Sequence, residues 1–192
     1  MTHRYSNLVA ISAVQLICAT AVFAQDRVNP QAQVMAGFND RVKAYLAVQK
    51  KVEGSLPAQK ETPDPERIKA HETSLAAGIR AARTDAKAGD VFGAAAEQFR
   101  ASIKQDGKER SSRDKTAAMK EVPKATAPRV NAAYPEAAAL ATVPPLILSR
   151  LPRLPDGLEY RFMGRDLILR DTKANLIVDL IPDAVPDAAA GR

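Results

Sequence analysis

Leu158-Glu159-Tyr160-Arg161-Phe162-Met163-Gly164-Arg165-Asp166-Leu167-Ile168-Leu169-Arg170 is the stretch on which the fold turns. Leu158, Tyr160 and Phe162 alternate with Glu159 and Arg161, the period of a half-buried β-strand. Gly164-Arg165 fits a two-residue hairpin turn, after which apolar residues resume at Leu167 and Leu169. That turn sets Phe162 opposite Leu167 and Tyr160 opposite Leu169.

A third run, Leu176 to Ile181, follows Thr172-Lys173-Ala174-Asn175, which reads as a four-residue hairpin loop. In that register Leu169 faces Val178 and Leu167 faces Leu180. Tyr160, Phe162, Leu167, Leu169, Val178 and Leu180 then share one side of the sheet. The other side receives Glu159 opposite Arg170, with Arg161 and Asp179 flanking Ile168. A slip of one residue would destroy this sorting. Three strands with a bare apolar face are not independently stable, so that face needs a helical lid.

The lid is legible upstream. Over Gln31 to Glu53, Met35, Phe38, Val42, Tyr45 and Val52 recur at steps of three and four, with Gln49 in the one polar slot, which predicts a helix with a narrow apolar seam. Thr62-Pro63-Asp64-Pro65-Glu66 marks a second helix start, with Thr62 or Asp64 as the N-cap and acidic residues against the dipole. Ile68, Leu75, Ile79, Ala82 and Ala86 are expected to line its buried face, and Gly89 to stop it. Asp90 is placed to cap a third helix that buries Val91, Phe92, Ala95, Phe99 and Ile103. Asp106-Gly107 should break or end it.

Between helices and strands lies a basic segment. From Lys104 to Arg129 eight basic residues stand against four acidic ones, and apolar residues other than alanine are few. This composition predicts a solvated linker, with room for one short helix around Asp114 to Val122. Prolines at 135, 144, 145, 152 and 155 hold the next segment extended, except for one short helix from Pro145 to Leu151.

The start of the chain reads as an address. Arg4 and His3 precede an apolar run from Leu8 to Phe23, and Val22-Phe23-Ala24 puts a small residue before polar Gln25-Asp26-Arg27. This is the order of a cleavable secretory signal, and the run falls short of the roughly 20 apolar residues of a comfortable membrane span. A lipid-anchored reading through Cys18 fails, because Ile17 and Gln15 are the wrong residues before such a cysteine. The expected organisation is therefore a signal at 1–24, a helical region at 25–103, and a basic linker at 104–133. A proline-rich segment plus β-meander at 134–182 and a disordered tail at 183–192 complete it. The fold class is α+β. The mature chain is expected to be exported, periplasmic or secreted, with no stable transmembrane segment.

Cleavage removes Cys18, the only cysteine, and with it any disulfide, thiol nucleophile or zinc–cysteine site. It also takes His3, so that His71 stands alone, beside the seam of the second helix and without the partners a general base or metal ligand needs. Ser55, Ser74, Ser102, Ser111, Ser112 and Ser149 lack a neighbouring base and a nucleophile turn. Asp166, Asp171 and Asp179 lie among Arg161, Arg165 and Arg170, where cross-strand ion pairs explain them. No glycine-rich phosphate loop or calcium-loop spacing occurs. Tryptophan is absent and aromatic residues are few, which argues against a stacked-ring carbohydrate platform. No catalytic residue, cofactor or metal ligand is assigned.

The net charge is +6, and +5 once the leader and its Arg4 are gone. An exported chain without interleaved aromatics is a poor nucleic-acid binder, and anionic headgroups or wall polymers suit this charge better. Lys69, Arg80, Arg83 and Lys87 add a helical basic stripe, three of them near the helix C-terminus where the dipole favours cations.

Tyr134-Pro135-Glu136, Ala141-Thr142-Val143-Pro144-Pro145, Leu151-Pro152-Arg153-Leu154-Pro155, the strand–turn–strand stretch quoted above and Ala174-Asn175-Leu176-Ile177-Val178-Asp179 together resemble a family of uncharacterised exported bacterial proteins. Ile79-Arg80-Ala81-Ala82-Arg83 and Gly89-Asp90-Val91-Phe92 extend the resemblance into the helical half. It implies export and this fold, and brings no activity or cofactor. A fainter likeness, limited to the strand–turn–strand pattern, is to small periplasmic proteins linked to metal homeostasis. One histidine, no mature cysteine and no methionine run depart from any metal-buffering role, which is not carried over.

Two classes of function follow. One is a non-catalytic periplasmic or cell-envelope interaction module, whose partner is an envelope protein or an anionic envelope polymer. Its candidate surface is the charged face of the meander: Glu159, Arg161, Arg170 and Asp179. The alternative is a hydrolase-like enzyme using Asp, Glu or Ser with His71. The scarcity and scatter of catalytic groups favours the first.

Overall fold

The computed structural model describes residues 29–58, 62–109, 127–135, 143 and 145–185. The expected signal at 1–24 and the expected helix from Asp114 to Val122 lie outside them. The fold is α+β: α1 (Pro30–Ser55), α2 (Pro65–Ala82), α3 (Ala95–Glu109) and the short α4 (Pro145–Arg150) precede β1 (Leu158–Met163), β2 (Asp166–Asp171) and β3 (Leu176–Ile181). The strands form one antiparallel sheet in the order β1-β2-β3. No helix among the described residues is long and apolar enough to cross a membrane.

Local chemistry explains the helix starts. Asn29 caps α1 by accepting from the Gln31 N–H at 3.0 Å, with Pro30 in the first turn, where its missing N–H costs nothing. Of the two expected candidates Asp64 is the cap of α2, accepting from the Glu66 N–H at 3.0 Å, while Thr62 accepts from the Asp64 N–H at 3.2 Å ahead of the helix. On α1, Phe38, Val42, Tyr45 and Gln49 are buried. On α2 burial begins only at Leu75. Ile68, expected inside, is 46% exposed, Ala82 is exposed, and Ala86 lies beyond the helix end.

Residues 87–94 depart from the expected third helix. They run as a series of turns, with Gly89 at φ +90° and Gly93 at φ +50°, and α3 begins only at Ala95. Asp90 does not cap α3; its carboxylate accepts from the Lys87 N–H behind it. The expected apolar set is nevertheless buried: Val91, Phe92, Ala95, Phe99 and Ile103 all enter the core. Nor does Asp106-Gly107 break or end the helix, which continues to Glu109.

Phe38, Phe92 and Phe99 pack with centroid separations of 5.2–5.8 Å, and Tyr160 of β1 meets Phe99 edge-on at 5.7 Å. Offset and edge-on arrangements are those that aromatic quadrupoles favour. This cluster joins the helices to the inner face of the sheet.

The β1–β2 hairpin has the expected register, with Phe162 opposite Leu167, Tyr160 opposite Leu169 and Glu159 opposite Arg170. Thr172 to Asn175 forms the expected loop, closing on Asp171 opposite Leu176. Further along β3 the register slips: Arg170 pairs with Ile177, but Leu169 pairs with Asp179 and Ile168 with Leu180. Val178 is the extra residue of a β-bulge, and an inserted residue reverses every side chain after it. Val178, Asp179 and Ile181 therefore lie on the inner side. Leu180, expected there, joins Tyr134, Met163, Ile168 and Ile177 in a second apolar cluster on the outer side.

That cluster has a lid of its own. The end of the expected solvated linker folds onto the sheet: Ala133 bridges Leu176, the Asn131 N–H donates to the Ile177 carbonyl, and the Ile177 N–H donates to the Ala132 carbonyl. Val130 and Ala132 pack on the outer cluster. Arg80 and Arg83 of the basic stripe hold this segment from below. Arg80 Nε donates to the Asn131 carbonyl, and Arg83 reaches the Asn131 side chain and the Val178 carbonyl. The expected tail is also partly folded: Ala184 is buried, and Val185 and Arg165 exchange hydrogen bonds.

Candidate functional site

The outer side of the sheet presents one cluster of charge. Glu159 and Arg161, two residues apart on β1, project on the same side, and Arg170 of β2 lies opposite Glu159. Arg161 Nη2 donates to Glu159 Oε2 at 2.7 Å, and Arg170 Nη1 donates to Oε1 at 2.9 Å. Arg170 Nη2 also donates to the Asn175 side chain at 2.8 Å. Two guanidinium groups thus share one carboxylate. The three side chains are between 16 and 25% exposed, so the excess positive charge is partly desolvated.

Tyr134 completes the cluster. Its N–H donates to the Asn175 carbonyl and its carbonyl accepts from Asn175 Nδ2, fixing it beside the loop that ends in β3. Its ring extends over the sheet, and the Arg170 guanidinium stands 4.3 Å from the ring centroid, a cation–π contact. Tyr134 is 3% exposed, yet its hydroxyl has no protein hydrogen-bond partner, and the same holds for Arg161 Nε and Arg170 Nε.

Burial by itself would raise the Glu159 carboxyl, but hydrogen bonds and charge from Arg161 and Arg170 outweigh it and hold the group below the usual carboxylate range. Arg161 is raised in turn, chiefly by its hydrogen bond to Glu159 against the opposing effect of burial, with smaller contributions from the Glu159 charge and from Tyr134.

Asp179 is not part of this surface. The bulge turns it inward, where it is fully buried. Its Oδ2 accepts from the Val91 and Phe92 N–H groups, each at 2.7 Å, and its Oδ1 from Gly89 and Leu180. Arg41 holds the same loop from the other side, donating to the Val91 and Phe92 carbonyls at 2.7 and 3.0 Å. Burial pushes the Asp179 carboxyl above its usual range, with four backbone N–H groups pulling against it.

Asp171 is a second internal carboxylate. Tyr45 and Gln49 of α1 donate to Oδ2, and the Lys173 and Ala174 N–H groups to Oδ1, which shapes the β2–β3 loop. The polar slot at Gln49 in the α1 seam therefore has a purpose that periodicity could not disclose. Burial and the neighbouring Asp171 raise the Tyr45 phenol far above its ordinary value.

The other candidates stay apart. His71 is half-buried on α2, while the carboxylates Asp166, Asp171 and Asp179 stand on strands. No group of three or more His, Cys, Asp and Glu side chains placed to hold a metal ion occurs among the described residues. A shallow cleft between α1, α3 and α4, lined by Met35, Gln98, Phe99, Ser102, Arg150 and Leu151, has no carboxylate or histidine among its lining residues. The outer-face cluster is the site with chemistry: Glu159, Arg161 and Arg170 come together as the strand register requires, Asp179 does not, and Tyr134 and Asn175 join them.

No protein-family model, curated protein or solved structure matches this chain.

Proposed function

We propose that this protein is an exported, non-catalytic module of the cell envelope that holds an anionic envelope polymer through the outer face of its β-meander. One observation carries the reading: Arg161 and Arg170 share the single carboxylate of Glu159 on a partly desolvated surface. Arginine forks suit carboxylate and phosphate groups, and partial desolvation strengthens their attraction. The N-terminal leader pattern supports export, and the net charge of +6 supports an anionic partner over a cationic one.

Cosedimentation of the purified protein with cell-wall fragments and with anionic or neutral vesicles tests this. Binding to anionic material is expected at low salt, weaker at high salt as screening shortens the reach of the charges, and reduced in an Arg161→Gln/Arg170→Gln double variant. Equal binding by the double variant, or no binding at any salt, would overturn the reading.

A further inference from the structure

The outer-face cluster contains more donors than its one carboxylate and one amide occupy. Arg161 gives Nη2 to Glu159, while Arg170 gives Nη1 to Glu159 and Nη2 to Asn175. Neither Nε–H has a protein partner, although both are buried. The Tyr134 hydroxyl is in the same condition, on a ring that Arg170 covers. Buried donors in folded proteins are nearly always paired, because leaving one unpaired forfeits the hydrogen bonds it made to water. Here three occur around one pair of guanidiniums that carries a net positive charge. Elsewhere in the same sheet the polar groups are well matched: Asp171 and Asp179 each accept four hydrogen bonds. Within the sheet and the segment that covers it, the mismatch among the described residues falls on this cluster.

We infer that Tyr134 Oη, Arg161 Nε and Arg170 Nε form a seat for one oxyanion, a phosphate or carboxylate group of the bound ligand. The inference rests on the outer-face reading above and narrows it from a charged surface to a defined site. Water would satisfy the donors but leave the charge uncompensated; an oxyanion answers both, with charge-assisted hydrogen bonds from planar donors. Entry requires the partly exposed arginine heads to move aside, and both are anchored by single hydrogen bonds to each acceptor atom. Glu159, bonded to one Nη of each guanidinium, repels a second anion.

Arginine Nε–H resonances of the intact protein, followed while inorganic phosphate or sodium acetate is added against sodium chloride at matched ionic strength, test the seat directly. Saturable shifts at Arg161 and Arg170 with phosphate, acetate or both are expected, and the stronger of the two identifies the source of the oxyanion. Tyr134→Phe should leave the rest of the spectrum in place and weaken the effect about tenfold, the loss expected for one hydrogen bond to a charged group. Shifts no larger than those with chloride would mean water only, and an unchanged affinity in Tyr134→Phe would remove the tyrosine; either result overturns the seat. Wall-fragment binding that persists while phosphate and acetate leave both resonances unmoved would overturn the seat alone, and leave the outer-face reading intact.

Discussion

Asp179 Oδ2 accepts the Phe92 N–H at 2.7 Å across a sequence separation of 87 residues. The bond ties the last strand to the turns that introduce α3, and Phe92 carries the aromatic cluster with it. A carboxylate on β3 thus does for residues 87–94 what helical hydrogen bonds would otherwise have done, while Arg41 takes the carbonyls on the other side.

Asp179→Asn should therefore destabilise the protein by about 2–4 kcal/mol, because one amide nitrogen would point at backbone N–H groups it cannot accept from. Urea unfolding at neutral pH measures it. A loss below about 0.5 kcal/mol would mean that the loop is held without this carboxylate.

Asp171 is fastened by two side chains one turn apart on α1, Tyr45 and Gln49. Tyr45→Phe and Gln49→Leu should each cost about 1–3 kcal/mol, the range for a buried hydrogen bond to a charged group. Because both donate to one oxygen, the double variant should depart from additivity, and a thermodynamic cycle over the two sites reads that coupling.

Gly78 is where α2 approaches α1 most tightly among the glycines there: an added Cβ would collide with Val52 Cγ1. Gly78→Ala gains about 1 kcal/mol in helix propensity but should still destabilise by about 1–2 kcal/mol through overpacking. Val52→Ala combined with it should recover part of the loss, which thermal unfolding of the two variants would show.

Glu159 supplies the pH dependence. Its carboxyl lies below the ordinary value of 4.5, so the folded state holds the charged form more strongly than the unfolded chain does. Its stabilisation is present above that ordinary value and is lost as pH falls through the lowered one. Glu159→Gln should lower stability at neutral pH by about 1 kcal/mol or less and flatten the acid limb of the stability curve. An acid limb identical in both proteins would place the titration elsewhere.

Side-chain periodicity disclosed a good part of this molecule. The alternation from Leu158 to Phe162 and the Gly164-Arg165 turn set the β1–β2 register and the pairing of Glu159 with Arg170, since both depend on neighbours in sequence. The three-and-four spacing of Phe38, Val42 and Tyr45, and that of Phe99 and Ile103, named the faces that reach the core. The limit of this reading shows at Val178. A single inserted residue leaves the apolar pattern of β3 unchanged, yet sends Asp179 inward and Leu180 outward.

Sequence alone determined the α+β class, the helix cap at Asp64, and Glu159, Arg161 and Arg170 of the candidate site, because propensity, capping and strand alternation act over a few residues. Only the tertiary structure decided which carboxylates are internal, that Gln49 serves Asp171, and that Tyr134 returns to lie under Arg170. Those outcomes depend on which distant N–H and hydroxyl groups arrive as partners. A buried polar group is settled by its partners in space, and its neighbours in sequence do not disclose them.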